Sequence, residues 1–330
     1  MKEKLVDFLV CPTCGGPFKL NKTKVEEKEV MEGFLECANC PRKYPVKSGI
    51  PRIIPESMDK AKRDTAKNFG YEWKNFNQFY KEYQKQFEGW INPLNPDFFK
   101  GKVVFDAGCG KGRHVYYSIA FGAKEVIGVD LSDAVDVAFE QTKKFENAHI
   151  IQADIYSLPL RRDFFDLAYS IGVIHHLPDP KKGFSTVLQK VKPGGTILVW
   201  MYGKEGNTLL PILDFVRKNI ALKMPLAIVK ALSYIAMLCI HPVLLLVYKP
   251  LNEWNLTKGV SSFLPMNGFF HYLSGHSFTQ NTSILFDQLI APIANYYTRD
   301  EFDSFFTENN IKDVRIVHRN NNSWTGVGVR

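Results

Sequence analysis

The sequence predicts an α/β fold: a mostly parallel sheet with helices on both faces, preceded by a small cysteine-rich module and carrying an apolar helical insertion. Three observations lead to this prediction. Strand and helix patterns alternate from Lys102 onward, which is typical of parallel sheets. A glycine-rich turn follows the first of these strands. Four cysteines stand in two pairs near the amino terminus.

Length and composition narrow the class of protein. A chain of 330 residues suits two or three domains, and 45% apolar residues suffice for a sizeable core. The net charge of +8 permits attraction to nucleic acid or anionic lipid, but no block of consecutive basic residues occurs, which favours a solvated surface. Residues 1–10 lack the pattern of a signal peptide. We therefore expect a cytoplasmic protein with reduced cysteines.

The cysteine pairs indicate a metal site. Cys11 and Cys14 form one C-x-x-C pair, and Cys37 and Cys40 form the other, at a separation that suits a hairpin. Four thiolates leave no open coordination position, so the expected ion is a structural Zn²⁺ that folds a segment too small to fold alone. The alternative is a pair of unrelated redox motifs.

The segment around these cysteines resembles a known family. The runs Leu9-Val10-Cys11-Pro12 and Tyr44-Pro45-Val46-Lys47-Ser48-Gly49-Ile50-Pro51 are similar to the Trm112-like zinc ribbons, which act as activating subunits of methyltransferases. We place this ribbon at residues 1–55. The resemblance implies that it stabilises or presents a catalytic domain within the same chain.

Residues 56–101 form a polar and aromatic connector. Five of its aromatic residues recur at the spacing of one helix face: Phe76, Phe79, Tyr80, Tyr83 and Phe87. One interpretation is a helix that packs on the domain behind it. The other is a lid over a ligand.

The glycine-rich turn carries the clearest chemical signal. It reads Val103-Val104-Phe105-Asp106-Ala107-Gly108-Cys109-Gly110-Lys111-Gly112-Arg113, and glycines let backbone approach a ligand closely. The dinucleotide fingerprint G-x-G-x-x-G would need Gly or Ala where Arg113 stands. The form D-x-G-x-G-x-G instead resembles motif I of class I S-adenosylmethionine (SAM) methyltransferases.

The following region extends this resemblance. The runs Gly172-Val173-Ile174-His175-His176-Leu177 and Lys192-Pro193-Gly194-Gly195 are similar to the Methyltransf_11/UbiE-like group. The resemblance implies a Rossmann-like class I methyltransferase domain, placed at residues 102–330. It also implies a SAM-binding loop made by Asp106, Gly108, Gly110 and Gly112.

Two acids after later strands are candidate cofactor ligands. Asp130 ends the second strand about twenty positions past the glycines, where an acid accepts hydrogen bonds from both ribose hydroxyls of a nucleoside cofactor. By the resemblance, Asp154 binds the adenine amino group and Ile155 contacts the ring. The alternative for Asp154 is a solvated loop acid.

His175 and His176 follow the fourth strand, at the carboxyl edge of the sheet where ligands bind in such folds. Either is a candidate general base if the acceptor is a hydroxyl. The alternative is that one of them caps or orients the loop.

A long apolar insertion, residues 203–297, separates the fifth strand from a capping box at Thr298-Arg299-Asp300-Glu301. Within it, Ala231–Tyr248 contains no Asp, Glu, Lys or Arg. Three interpretations are open: a helical cap over the active site, an interfacial membrane helix, or a membrane span. The first two suggest an apolar acceptor.

Together these features predict a SAM-dependent methyltransferase acting on an apolar or lipid-linked small molecule by O- or C-methylation. The motif of exocyclic-amine methyltransferases is absent at Ser170-Ile171-Gly172-Val173, and neither Cys109 nor Cys239 suits nucleophilic pyrimidine chemistry. The alternatives are a tRNA or protein methyltransferase and a non-catalytic SAM-binding scaffold. Peripheral membrane contact is compatible with the insertion, and a nucleic-acid partner is disfavoured.

Overall fold

One eleven-stranded sheet connects the parts of this protein in the computed structural model, which describes residues 1–80, 82–254 and 258–330. The strands are β1 (Phe18–Glu26), β2 (Glu29–Cys37), β3 (Lys43–Lys47), β4 (Ile50–Ile53), β5 (Val103–Ala107), β6 (Glu125–Asp130), β7 (Ala148–Ala153), β8 (Phe165–Ile171), β9 (Val191–Tyr202), β10 (Lys312–Arg319) and β11 (Ser323–Val329). They are ordered β1-β2-β3-β4-β7-β6-β5-β8-β9-β11-β10 across the sheet.

Helices flank this sheet and fill the connector and the insertion. In the described part of the chain they are α1 (Lys60–Asn75), α2 (Glu82–Ile91), α3 (Arg113–Ala120), α4 (Ala134–Thr142), α5 (Pro180–Leu188), α6 (Leu210–Asn219), α7 (Leu226–Val243), α8 (Lys249–Glu253), α9 (Lys258–Ser261), α10 (Asn267–Ser274), α11 (Phe278–Ile290) and α12 (Arg299–Thr307). The predicted Rossmann-like α/β class, with helices on both faces, is confirmed.

The central strands are parallel and buried on both faces. Strands β4 to β9 pair in parallel, whereas β11 runs antiparallel to β9. Successive residues of β5 point to opposite cores: Phe105 packs in the cluster that includes α5 and α12, and Val104 packs in the cluster that includes α2, α3 and α4. The parallel strands therefore end together at one carboxyl edge.

The amino-terminal ribbon is continuous with this sheet. Strand β4 pairs in parallel with β7 through Arg52 opposite Gln152 and Ile53 opposite Ala153. The Arg52 guanidinium also donates to the Gln152 side-chain oxygen at 2.8 Å. The ribbon therefore shares hydrogen bonds with the strand that leads to Asp154.

The connector differs from a single aromatic-faced helix. Helix α1 ends at Asn75 and α2 begins at Glu82, so Phe76, Phe79 and Tyr80 lie between the two helices, and only Tyr83 and Phe87 lie in a helix, α2. A physical reason lies in Lys111, whose Nζ donates to the backbone carbonyls of Phe76 and Gln78. Those carbonyls accept from a side chain where a continuous helix would supply backbone N–H groups.

One helix end differs from what the sequence predicts. Proline and glycine are typical of helix ends and predict one at residues 192–195, but these residues lie within β9, which begins at Val191. Tertiary pairing with β8 extends this strand past the glycines. The capping box at the start of α12 has both reciprocal hydrogen bonds, between Thr298 and Glu301.

The insertion folds as α6 to α11. Helix α7, a wide turn over residues 244–248 and α8 follow one another without a break, so Leu226–Glu253 is long and apolar enough to cross a membrane by length and composition. The wide turn follows Pro242, which lacks the N–H for a regular helical bond. Only 22% of the most apolar window of this helix is buried in the protein.

Candidate cofactor and acceptor site

A cavity of about 650 Å³ opens at the carboxyl edge of the parallel strands. The loops after β5, β6, β7 and β8 form its floor, and α1, α6, α7, α10 and α11 form its walls and roof. Ligands of open parallel sheets bind at this edge, and the volume is that of a small-molecule site. Most of its lining is apolar, so its few polar groups define what it can bind.

The glycine loop after β5 has the close approaches that only glycine allows. Gly108 has φ +92, and a Cβ there would lie 2.3 Å from Val173 Cγ2. Gly112 has φ +81, and a Cβ there would lie 2.9 Å from Ala138 Cα. Side chains at both positions would clash and strain the backbone. Gly108 and Gly110 line the cavity, so the loop presents bare backbone there, as a site for the amino-acid end of SAM requires.

Asp130 lies beside this loop with its carboxylate fixed. Its Oδ2 accepts from the Gly110 N–H at 2.9 Å, and its Oδ1 accepts from the N–H and hydroxyl of Ser132 at 2.8 and 2.7 Å. Burial raises the pKa of this carboxyl, and the three donors oppose that shift. Asp130 lines the cavity, where an acceptor for ribose hydroxyls is expected.

Asp154 also lines the cavity, but it already has a partner. Its Oδ1 accepts from the Tyr156 N–H, and its Oδ2 forms a 2.5 Å ion pair with Lys62 of α1. Ile155 lines the cavity next to it. The carboxylate expected at adenine is thus buried beneath α1 rather than solvated.

Two of the predicted cofactor residues, Asp106 and Gly112, do not line the cavity. Asp106 is fully buried, and neither of its carboxyl oxygens has a hydrogen-bond partner among the described residues. Burial raises its pKa well above the usual range. Its position indicates a role beneath the loop rather than contact with a ligand in this conformation.

The two histidines differ in what they face. His176 lines the cavity, and its Nδ1 is 2.5 Å from the carbonyl oxygen of Ile293, so Nδ1–H donates and Nε2 is left as an acceptor. His175 is fully buried against Tyr202, at 4.0 Å between ring centroids, and does not line the cavity. Burial lowers the pKa of His176 to about 4 and that of His175 well below its usual value. Both rings are neutral at pH 7.

Helix α1 covers the glycine loop. Lys62, Phe69 and Trp73 of this helix line the cavity, and a Cβ on Gly110 would lie 3.1 Å from Trp73 Nε1. The Lys111 ammonium lies 5.1 Å from the Trp73 ring, and burial lowers its pKa to about 7. The geometry is that of a helical cover on the cofactor loop.

The sequence interpretation missed several polar groups in this cavity. Glu72 of α1 and Gln280, Ser283 and Asp287 of α11 all line it. A signal for Glu72 was present, because a carboxyl lies between the aromatic residues Tyr71 and Trp73 on an otherwise buried helix face. No local sequence pattern indicates the α11 residues, because whether they face the cavity depends on the tertiary fold of the insertion.

The four ribbon cysteines converge as predicted. All their sulfur atoms lie within 4.8 Å of one another, with Cys11 and Cys40 at 3.7 Å and Cys14 and Cys37 at 3.4 Å. Tetrahedral Zn–S bonds place sulfur atoms about 3.8 Å apart. The donor set therefore fits a four-sulfur zinc site.

Comparison with known families identifies the two domains. Residues 105–199 match the family model for a methyltransferase domain, and residues 2–49 match that for a Trm112p-like protein. Residues 105–199 are thus similar to methyltransferase domains and residues 2–49 to Trm112p-like proteins, and both predicted resemblances are confirmed.

The names of the curated relatives are more specific than the descriptions of the two family models. The chain is 32% identical over 119 residues to the tRNA U34 carboxymethyltransferase of Cellvibrio japonicus, and 34% identical over 124 residues to that of Hahella chejuensis. These matches cover 34% and 35% of this chain, and 37% of each relative. The matched part thus spans little more than a third of those proteins.

Solved structures of SAM-dependent methyltransferases are also similar. One from Mesorhizobium loti is 32% identical, covers 32% of this chain and 49% of its own, and has a TM-score of 0.30. One from Aquifex aeolicus is 14% identical, covers 76% and 98%, and has a TM-score of 0.41.

The relatives overturn one prediction. We expected an apolar or lipid-linked small-molecule acceptor and disfavoured nucleic acid, and this expectation is wrong, because the curated relatives are named for a tRNA acceptor. Nucleic acid is disfavoured in that expectation because the sequence has no block of consecutive basic residues. On a helix, however, basic side chains spaced three and four positions apart are neighbours.

Proposed function

We propose that this protein is a SAM-dependent enzyme that modifies a uridine of tRNA. In addition to the names of the relatives, one structural observation supports this proposal: the helix that covers the cavity has a basic outer face. Lys60, Arg63 and Lys67 are exposed on α1, whereas Lys62, Phe69 and Trp73 of the same helix face the cavity. An RNA backbone bound to the outer face would lie beside the cavity mouth.

The spacing makes this basic face continuous. Positions 60, 63 and 67 are three and four residues apart, so their side chains follow one another along one side of the helix. Exposed lysine and arginine neutralise phosphates without reading sequence, and they position a nucleic acid for contacts made elsewhere. The cavity would then receive a single nucleotide.

Different residues of the chain would bind the cofactor and accept the proton. The loop at Gly108, Gly110 and Gly112, with Asp130 and Asp154, would hold SAM, whose sulfonium supplies an already activated methyl group. His176 would accept a proton at Nε2 from an acceptor hydroxyl, because its Nδ1–H is held by the Ile293 carbonyl. The aromatic and aliphatic walls exclude water, and positioning supplies much of the rate acceleration.

For the ribbon, we propose that residues 1–55 hold a structural Zn²⁺ through Cys11, Cys14, Cys37 and Cys40. The fit of the four sulfurs supports this, and so does the absence of an open position. Because β4 pairs with β7, the ion would also stabilise the strand that leads to Asp154. The ribbon would act in cis on the cofactor site.

For location, we propose a cytoplasmic protein that rests on anionic membrane through the outer faces of α6 and α7. Large apolar side chains are exposed there and in the wide turn that follows α7, including Phe215 at 62%, Leu238 at 65% and, in the turn, Leu246 at 76%. Lys218, Lys223 and Lys249 are exposed in the same helices and the adjoining turns. Apolar burial combined with basic side chains is the pattern of interfacial helices.

This location is tested by sedimentation with vesicles of phosphatidylglycerol, with phosphatidylcholine vesicles for comparison. We expect sedimentation with the anionic vesicles, reduced by the pair L238E and L246E. The control is V25E, which changes an exposed apolar residue of the ribbon that is 50% exposed. Equal sedimentation of all three proteins would contradict the proposal.

The activity is tested by incubating the purified chain with radiolabelled SAM and separate RNA, lipid and protein fractions. We expect label in tRNA, followed by nucleoside analysis that shows a modified uridine carrying one methyl group. A carboxymethyl group on the uridine, formed only when a SAM carboxylated at the methyl carbon is supplied as donor, would keep the tRNA assignment and change the group transferred. Label confined to lipid or protein would overturn the proposal.

A further inference from the structure

A row of polar side chains along α11 faces the cavity. Gln280, Ser283 and Asp287 are three and four residues apart, so they share one side of the helix. Gln280 is 1% exposed, and both its amide oxygen and its amide nitrogen lack a hydrogen-bond partner among the described residues. A buried amide of this kind costs free energy unless a ligand satisfies it.

Glu72, which belongs to a second helix, α1, adds a fourth polar side chain next to this row. The Ser283 hydroxyl donates to Glu72 Oε1 at 3.0 Å, which brings the two helices together at this point. Glu72 Oε2 and Asp287 Oδ1 are buried without partners in the described part of the protein. The cavity thus offers an amide and two carboxyl groups, each with unused hydrogen-bonding capacity.

The protonation of these carboxyl groups adds donors to the row. Burial, with a contribution from Asp287, raises the pKa of Glu72 well above its usual range, and burial raises the pKa of Asp287 to about 7. Like charges in one low-dielectric site cannot both ionise readily. A protonated carboxyl donates a hydrogen bond as well as accepting one.

The walls around the row are aromatic. Trp73, Trp200 and Tyr272 line the same cavity as the polar residues. Flat rings stack on nucleobases, and enzymes that act on a base hold the extruded base between apolar or aromatic side chains while reading its edge by hydrogen bonds. This cavity likewise contains both aromatic side chains and a row of polar groups.

We propose that Gln280, Ser283 and Asp287, together with Glu72, form a subsite that binds the edge of a pyrimidine base extruded from RNA. This rests on the proposed tRNA function and specifies its acceptor site. A side-chain amide has a donor and an acceptor side by side, which matches the neighbouring carbonyl and imino N–H of uracil. The cofactor does not account for the row, because its expected ligands lie on the loops after β5, β6 and β7.

The test uses uridine 5′-monophosphate as the probe and the full chain saturated with S-adenosylhomocysteine, so that the adenosine site is occupied. Binding is followed by tryptophan fluorescence, since Trp73 and Trp200 line the cavity. We expect saturable quenching by the nucleotide. In Q280L, which keeps the side-chain size and removes the amide, we expect at least about fivefold weaker binding, the lower end of a bidentate amide–base contact.

Two controls separate a local effect from misfolding. Q84L makes the same change at an exposed position of α2 and should leave nucleotide binding unchanged. The affinity of Q280L for S-adenosylhomocysteine should equal that of the native chain. If Q280L does not fold, E72Q replaces it, and its nucleotide affinity should change while cofactor affinity stays constant.

The outcomes distinguish this proposal from the proposed function. Equal nucleotide affinity in the native chain and Q280L overturns the subsite, even if label enters tRNA. Absence of saturable quenching by the nucleotide in the native chain also overturns it. Weaker nucleotide binding in Q280L without any label in tRNA supports the subsite and contradicts the proposed function.

Discussion

Lys62 Nζ of α1 lies 2.5 Å from Oδ2 of Asp154 at the end of β7, and the two side chains are 11% and 5% exposed. This ion pair joins the connector to the strand end where the sequence predicts the adenine amino group. The ammonium and the adenine amino group would use the same carboxylate. Binding of cofactor and closure of α1 are therefore expected to be linked through Asp154.

Replacing Lys62 tests this link. K62M leaves the Asp154 carboxylate buried without its cation, which costs about 3 kcal/mol for a pair of this kind. We expect a lower Tm without ligand and a larger rise in Tm on adding S-adenosylhomocysteine than in the native protein, because the adenine amino group replaces the lost partner. K60M, at an exposed position of the same helix, is the control. An unchanged or smaller ligand-induced rise would contradict the adenine role of Asp154.

The glycine loop gives a second prediction. In G108A the new methyl group would lie 2.3 Å from Val173 Cγ2, and the residue would keep φ +92. We expect binding of S-adenosylhomocysteine, measured by calorimetry, to weaken at least about tenfold, because the loop must move. Gly101 also has a positive φ, +70, but a Cβ there would meet no atom within 4 Å, so G101A carries only the backbone cost of roughly 1–2 kcal/mol and should bind normally.

A double variant distinguishes steric contact from backbone strain as the cause of weaker binding in G108A. V173A removes the methyl groups that the new Cβ of G108A would meet. If steric contact is the cause, G108A with V173A should bind better than G108A alone. Equal losses in G108A and G101A would show that backbone strain, rather than close approach, dominates.

These residues show what could be predicted from the sequence. The strand ends, the glycines and Asp130 follow from local patterns, because hydrophobic runs and turn residues act within a few positions. The Lys62–Asp154 pair and the contact of Ser283 with Glu72 join residues 92 and 211 positions apart, so no local pattern reveals them. The acceptor was predicted wrongly for a related reason: the basic face of α1 is continuous on the helix but interrupted in the sequence.

The ribbon cysteines give a third prediction. Metal analysis of the native chain should find one zinc per four-cysteine cluster, and C37S should lose it, since three ligands bind far more weakly than a closed tetrahedral set. Because β4 pairs with β7, we expect the Tm of the whole chain, and its affinity for S-adenosylhomocysteine, to fall in C37S. C239S changes an exposed cysteine outside the cluster and should keep the metal. Retention of full cofactor affinity in zinc-free C37S would contradict a role in cis.

His176 gives a pH-dependent prediction. Its pKa is about 4 in the folded chain and about 6.5 when unfolded, so the unfolded state binds more protons between these values. The contribution of His176 to stability is therefore present above pH 6.5 and declines as pH falls, by about 1.4 kcal/mol per pH unit. H176Q lacks this titration, so the stability gap between it and the native protein should narrow from pH 6.5 to 4.5 in urea unfolding. A constant gap would contradict the neutral buried imidazole.

The basic face of α1 gives the last prediction. Lys60, Arg63 and Lys67 are exposed beside the cavity, so the variant K60A, R63A, K67A should bind tRNA more weakly and show a salt dependence reduced by up to about three phosphate contacts. The matched control K100A, K124A, K312A removes three exposed lysines at the opposite edge, near the amino ends of β5, β6 and β9. Both variants should keep native affinity for S-adenosylhomocysteine, since none of the six residues lines the cavity. If the control loses as much tRNA affinity as the α1 variant, the net charge of the chain, rather than this helix face, attracts the RNA.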